Sequence, residues 1–277
     1  MEILYTDFEY AGKRLSDFGY TICKFGGSSD LTDVEIGCDI TFSTVKNNHS
    51  SIHYNTSSSY ENVYTTSLEI MKNPCNKNQE EMYHINEEIS MLTSWLNRRE
   101  YHKFKPLIEE DNFYSVHYYG SFNIKEKTIN DRVVGFVLSF TGNAPYGFGD
   151  NVSLEYDITS AGENIYVHSN SDEYGVIYPH LSITLKEDGD LQITNTSNGL
   201  ITEIKKCVGG ETIRINGEHK FIDSDNEEHK NTTLFNDFNY EYLRLEVEDD
   251  DFSENVFEVS LPCIITFGYY PIRKVAV

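Results

Sequence analysis

One stretch of the chain, residues 78–105, has the residue spacing of an amphipathic helix, whereas the rest has the patterns of strands and turns. Its apolar residues recur at steps of three and four, so on a helix they would share one face. These residues are Met82, Ile85, Ile89, Leu92 and Leu96. Asn78, with Glu81 three residues later, has the pattern of a capping box, and we predict a helix over residues 78–99. A lone helix of this length is unstable in water, so its apolar face must cover a sheet.

Strand patterns make up most of the remaining first half. Residues 20–25, 63–72, 113–122 and 133–141 alternate or run apolar as strands do, which predicts an α+β, mainly β, arrangement. The polar, Ser/Asn-rich residues 47–62 are predicted to form a loop.

The apolar residues of the second half do not recur at helical spacing, and its turns are marked by Gly, Asn and Asp residues. They are Glu187-Asp188-Gly189-Asp190, Ser197-Asn198-Gly199 and Asn216-Gly217-Glu218. Many short strands separated by such turns predict an antiparallel sandwich or barrel. The boundary is expected near residues 143–150, which hold one Pro and two Gly. We predict a first domain over residues 1–143, a linker over 144–150 and a second domain over 151–277.

The net charge of −23 argues against some classes of ligand. Nucleic acid and anionic membranes are both bound through clustered Lys and Arg, so neither is predicted to be a partner. The five cysteines are scattered without a CxxC pair, which indicates reduced thiols in a protein that folds in a cytosol. The first residues lack the pattern of a signal peptide, and no run approaches the roughly 18 apolar residues of a membrane span.

No sequence pattern predicts catalysis, so we expect no catalytic, cofactor-binding or metal-ligating residues. His49 and His53 have the spacing of metal ligands on a helix, but their surroundings are not helical. Residues 223–228, DSDNEE, are the nearest match to a calcium loop, yet Glu228 stands where the sharp turn requires Gly. A solvated loop is the other interpretation, and cation binding by residues 223–228 or 246–254 stays open.

Several segments, in order along nearly the whole chain, carry a family pattern of core and turn residues. They are Leu15–Tyr20, Trp95–Phe104, Phe113–Phe122, Val133–Thr141, Ala144–Tyr146, Tyr178–Ile183, Asp190–Asn195, Gly210–Asn216 and Ile264–Arg273. Together they resemble the distal tail proteins of long-tailed, non-contractile phages and prophages. The Ser/Asn-rich stretch and the acidic residues 246–254 depart from that pattern.

The resemblance implies a structural protein rather than an enzyme. Its first domain would form a ring of six copies at the far end of the tail tube, and its second would be a galectin-like β-sandwich that points outward. The ring would link the tail-tube protein to the tail-tip hub or lysin, and to receptor-binding proteins. The protein would fold in the bacterial cytoplasm and function at the tail tip of the virion. DNA would pass through the ring without binding, since acidic side chains repel phosphate.

Two other functions remain as alternatives from the sequence. A carbohydrate-binding module for cell-wall glycans would use exposed aromatic rings, although most Tyr and Phe residues alternate within strands as core residues do. A glycan-degrading enzyme would need two facing carboxylates, which a sequence cannot show. Under the structural hypothesis the important residues, Trp95, Leu96, Tyr101 and Phe104, are packing positions.

Overall fold

The structure is a computed structural model that describes residues 5–26, 37–46, 53–75, 77–108, 115–247 and 253–274. The chain divides into two compact units. The first comprises residues 1–149 with 273–277, and the second comprises residues 150–272.

The first unit is built on an antiparallel sheet of seven strands, in the order β2-β1-β7-β8-β9-β6-β3, within the described ranges. The strands up to residue 149 are β1 (Tyr5–Tyr10), β2 (Lys13–Arg14), β3 (Tyr20–Cys23), β4 (Ile40–Lys46), β5 (His53–Tyr60), β6 (Thr65–Lys72), β7 (His102–Ile108), β8 (Tyr118–Ile129), β9 (Arg132–Gly142) and β10 (Gly147–Phe148). Side chains that alternate along β9, Phe136, Leu138 and Phe140, are buried, because strand residues two apart share a face. The helix α1 (Asn86–Leu96) adds its own buried residues to the same core.

The predicted helix over residues 78–99 is wrong at both ends. Asn78 and Glu81 do cap each other's backbone N–H groups, but they close only a 3₁₀ turn, Glu80–Met82. The backbone is extended at Ile85, where α1 starts with the Glu88 carboxylate accepting the Ile85 N–H at 3.0 Å. The apolar period continues through this break, which is why the sequence suggests one longer helix.

The loop predicted for the Ser/Asn-rich stretch is also wrong in part. Residues 53–60 are a strand, β5, paired with β4 in a two-stranded sheet separate from the main one. Backbone hydrogen bonds pair two strands whatever their side chains are. A strand made of polar residues therefore lacks the apolar–polar alternation by which a strand is predicted from the sequence. Residues 47–52, including His49, lie outside the described residues.

The second unit is a sandwich of two antiparallel sheets, in the orders β11-β21-β14-β17-β18 and β12-β20-β15-β16. The strands from residue 150 onward are β11 (Val152–Ile158), β12 (Glu163–Ser169), β13 (Gly175–Ile177), β14 (His180–Leu185), β15 (Gly189–Asn195), β16 (Ile201–Cys207), β17 (Thr212–Asn216), β18 (Phe221–Ser224), β19 (Leu245–Val247), β20 (Ser253–Val259), β21 (Cys263–Tyr269) and β22 (Ile272–Arg273). Inward residues of both sheets, such as Ile183, Phe257 and Phe267, form one core. The predicted mainly β fold with one long helix and a C-terminal sandwich is confirmed.

Two short helices interrupt the sandwich where the sequence predicts only strands and loops. They are α2 (Glu227–Thr232) and α3 (Leu234–Asp237), and the Asn226 side chain caps α2 by accepting the N–H groups of Glu228 and His229. Each is too short to show a helix period. The predicted solvated loop at residues 223–228 is therefore a strand end followed by a helix start, and Asp223 pairs with Lys230 at 2.7 Å.

Candidate functional site

Trp95 is the centre of the core of the first unit. Its indole N–H donates to the backbone oxygen of Tyr10 at 2.9 Å, and its ring stacks on Phe18 with centroids 4.4 Å apart. Leu96 and Phe104 are buried in the same core, as predicted. Tyr101 is 62% exposed, so its predicted packing role is wrong: it lies in the connection between α1 and β7. This cluster shapes the unit and offers no group for chemistry.

A buried histidine and a lysine fix the segment that leads into α1. The Lys72 ammonium donates to the backbone oxygens of Glu81 and Tyr83 and pairs with the Glu88 carboxylate at 2.7 Å. His84 stacks on the Tyr20 ring, and its Nδ1 lies 3.3 Å from the Tyr20 hydroxyl. Burial, reinforced by the charge of Lys72, lowers the pKa of His84 to about 4.

His84 makes the stability of the first unit depend on pH. Because its pKa is lower in the folded chain than the usual 6.5, the unfolded chain takes up a proton first as the pH falls. Stability should therefore fall between these two values, by about 2 kcal/mol at about pH 5 relative to about pH 7.5. Calorimetric unfolding across this range measures the loss, and it should become smaller in His84→Phe. An equal pH dependence in that variant would contradict the assignment.

The β4–β5 hairpin presents an apolar surface outside the seven-stranded sheet. Ile40 and Phe42 lie two residues apart on β4 and are 54% and 56% exposed. Ser57, Ser58 and Ser59 on β5 are exposed as well. Ser58 pairs with Phe42 and shares its face, and we call Ile40, Phe42 and Ser58 the hairpin surface. Exposed strands with apolar side chains are sites at which another chain can pair or pack.

A buried polar cluster fastens α2 and α3 to the sandwich. The Glu211 carboxylate is buried and accepts from the Ser224 hydroxyl at 2.5 Å and from the Val208 N–H at 3.0 Å. Its Oε1 also lies 2.7 Å from Nδ1 of His229 on α2. On the other side of the imidazole, the Asp237 carboxylate of α3 lies 3.7 Å from Nε2.

Asp237 is itself paired. The Lys206 ammonium donates to its Oδ1 at 2.7 Å, and this hydrogen bond holds the pKa of Asp237 below its usual value. Sequence patterns miss this cluster because its members are widely spaced, and the only signal is a His near acidic residues. The cluster is buried, and its polar contacts hold α2 and α3 against the sandwich. Its role is therefore to stabilise the fold.

The described residues contain no group of three or more His, Cys, Asp or Glu side chains that could hold a metal ion. None of the helices in the part of the chain that the structure describes has the length and apolarity of a membrane span. The absence of catalytic, cofactor-binding and metal-ligating residues stays a prediction. Of the acidic stretch 246–254, residues 248–252 lie outside the described ranges.

Comparison with known proteins gives matches over nearly the whole chain. Residues 4–144 match the family model described as phage tail protein N-terminal domain, and residues 146–269 match the one described as phage tail C-terminal domain. A solved structure with the same fold is the SPP1 Dit (gp 19.1) protein, described as a paradigm of the hub adsorption apparatus in phages that infect Gram-positive bacteria. It aligns with a TM-score of 0.64 and 13% identity, over 96% of this chain and 99% of that one. No curated protein matches the chain significantly.

Proposed function

Because this chain belongs to the phage tail protein family that matches both of its halves, we propose that it is a ring-forming adaptor at the distal end of a tail tube. Membership makes it a structural component of the virion tail. The resemblance to distal tail proteins is confirmed by the family and by the shared fold with SPP1 Dit. The ring, its six copies, its position and its partners are our proposal.

In the proposed assembly, residues 1–143 form the ring and residues 151–277 form a separate outer domain, joined by residues 144–150. The ring links the tail-tube protein on one side to the tail-tip hub or lysin on the other. Receptor-binding proteins attach to the outer side. The protein has no enzymatic activity of its own and binds neither DNA nor membranes, in keeping with its charge of −23.

The hairpin surface is the observation that best supports ring formation. A ring closes when one patch on each copy binds a different patch on the next copy, at a rotation that returns to the start. A two-stranded sheet outside the main sheet, with exposed Ile40 and Phe42, suits such a head-to-tail contact. Each side chain is only about half exposed, so its burial against a neighbour would supply about 1.5–3 kcal/mol for the two together in each contact.

Replacement of both apolar residues tests this contact. The wild-type chain should form particles of ring size in sizing chromatography with light scattering, and rings in negative-stain micrographs. Ile40→Asp with Phe42→Asp should weaken association by about a hundredfold or more and leave mostly monomers.

Ile129→Asp is the matched control, because Ile129 is an equally exposed apolar residue of the same unit at the end of β8. That variant should keep the rings. Rings that persist in the double variant would exclude the hairpin as the contact, and a wild-type monomer at all concentrations would contradict unaided ring formation.

A further inference from the structure

One edge strand of the sandwich, β11, has an uncovered outer side. The two sheets of the second unit end at β11 and β18, and at β12 and β16. β11 pairs with β21 over all seven of its residues without a register shift. On the side away from β21, its backbone has no hydrogen-bond partner among the described residues. A regular edge strand of this length can accept a further strand.

The edge of the other sheet at β12 is covered by side chains. The hydroxyl of Tyr156 donates to the backbone oxygen of Tyr166, and the hydroxyl of Tyr269 donates to that of His168 at 2.9 Å. These hydroxyls satisfy backbone groups that a further strand would need, so β12 is closed to such pairing.

The remaining two edges are covered or short. The segment of residues 238–239 lies along β16, where the Asn239 N–H donates to the backbone oxygen of Glu203 at 3.1 Å. β18 has only four residues, and α2, which follows it, contacts it. Covering and shortening are both ways in which proteins prevent pairing at an edge, and β11 has neither.

The inward side chains of β11 are incompletely covered. Three of them, Val152, Leu154 and Tyr156, pack on the core of the sandwich but are only partly buried. On the edge strand of the other sheet, β12, the inward residues Ile165 and Val167 are 2% and 0% exposed. A further strand beside β11, with apolar residues at alternate positions, would cover the three side chains.

The outward side chains of β11 indicate the charge of the strand that would pair with it. Ser153, Glu155 and Asp157 are exposed. The Asp157 carboxylate pairs with the Lys186 ammonium, whereas Glu155 has no ion pair among the described residues. The unit as a whole, residues 150–272, holds 25 Asp and Glu residues against 7 Lys and Arg residues. A strand beside Glu155 is therefore favoured if it carries Lys or Arg there.

The same charges argue against a second copy of this chain at this edge. If all seven residues of β11 paired with β11 of another copy, Glu155 would lie opposite the other Glu155, whether the strands were antiparallel or parallel in register. Like charges that lie directly opposite each other destabilise a strand pair. The partner is therefore a different, basic chain.

We propose that β11 is a docking edge for an extended segment of another protein, in which apolar residues alternate with Lys or Arg. The segment pairs its backbone with the outward N–H and C=O groups of β11. Its apolar side chains cover Val152, Leu154 and Tyr156, and a basic side chain lies opposite Glu155. This surface belongs to the second unit alone, so the inference does not rest on ring formation.

Calorimetric titration of the full chain with a synthetic peptide tests the edge. The probe is a short peptide in which Val and Lys alternate. One comparison peptide has the same composition with all Lys residues grouped at one end, and another alternates but is N-methylated throughout, which removes its backbone donors. The alternating peptide should bind at least about tenfold more tightly than either.

Hydrogen exchange locates the bound peptide. The outward amides of residues 152–158 should exchange at least about tenfold more slowly when the alternating peptide is bound. Residues 163–169 of β12 should exchange as they do without peptide.

A charge reversal tests the partner's chemistry. Glu155→Lys should weaken binding of the alternating Val–Lys peptide by about tenfold and should strengthen binding of the peptide with Glu in place of Lys. Glu218→Lys is the matched control, because Glu218 is an exposed glutamate in the turn between β17 and β18 of the same sheet. That variant should bind as the wild type does.

Several results would overturn the proposal. They are no binding of the alternating peptide, equal binding of either comparison peptide, protection at another edge strand, or normal binding by Glu155→Lys. Slow exchange of the outward β11 amides without peptide would show that a second copy already occupies the edge, which also contradicts a basic partner. Ring formation is tested by Ile40 and Phe42 in the other unit, so either proposal can fail while the other stands.

Discussion

Trp95→Ala should destabilise the first unit by about 3–5 kcal/mol, which lowers its melting temperature by about 10 °C. The change removes a buried ring that stacks on Phe18 and lies 6.0 Å from the Phe8 ring. It also leaves the backbone oxygen of Tyr10 without the indole donor. Neighbouring aromatic side chains are held by their own contacts and cannot collapse into the space. Differential scanning calorimetry of the full chain measures the shift.

Two further variants show whether packing is the cause. Trp95→Phe retains part of the ring stacking but loses the hydrogen bond, so the decrease in stability should be intermediate. Tyr101→Ala, six residues further along and mostly exposed, should change stability by no more than about 0.5 kcal/mol. A loss below about 1 kcal/mol in Trp95→Ala would show that the surroundings relax to fill the cavity.

Glu211→Ala should destabilise the second unit by about 3–5 kcal/mol, because it removes the shared acceptor of a buried cluster. His229 Nδ1, the Ser224 hydroxyl and the Val208 N–H would all lose their partner at once. The connection between α2 and the sheet would weaken with them. Urea unfolding measures the loss, and hydrogen exchange of residues 227–237 should rise more than that of the sandwich strands.

The double variant Glu211→Ala with His229→Ala measures the interaction energy between these two residues. Its loss should be smaller than the sum of the two single losses, because the second change removes a group that the first left unpaired. Glu187→Ala, on an exposed turn of the same unit, is the control and should be close to neutral. Strictly additive losses would show that Glu211 and His229 do not interact.

Patterns that depend on one face being buried were predictable from the sequence. The sandwich strands alternate between core and surface, as in β14 with its regular burial of every second residue, so period and turns were sufficient there. The core-facing side of α1 was predictable for the same reason, since Leu92 and Leu96 are buried on it.

Features set by contacts between distant residues were not predictable. The start of α1 depends on Lys72, a residue of a sheet strand whose ammonium group holds the segment before the helix. The polar strand β5 depends on its partner β4. Asn195 and Arg244 line one cleft although 49 positions separate them along the chain. Spacing along the chain carries no record of such contacts, so these features could come only from the fold.

Trp95 is the only tryptophan in the chain, and it lies in the first unit. Its fluorescence therefore reports on that unit alone, whatever happens in the sandwich. In a ring of identical copies every indole would have the same surroundings, so one emission spectrum would describe all subunits. The opening or loosening of the proposed ring could thus be followed in the purified protein without attaching a dye.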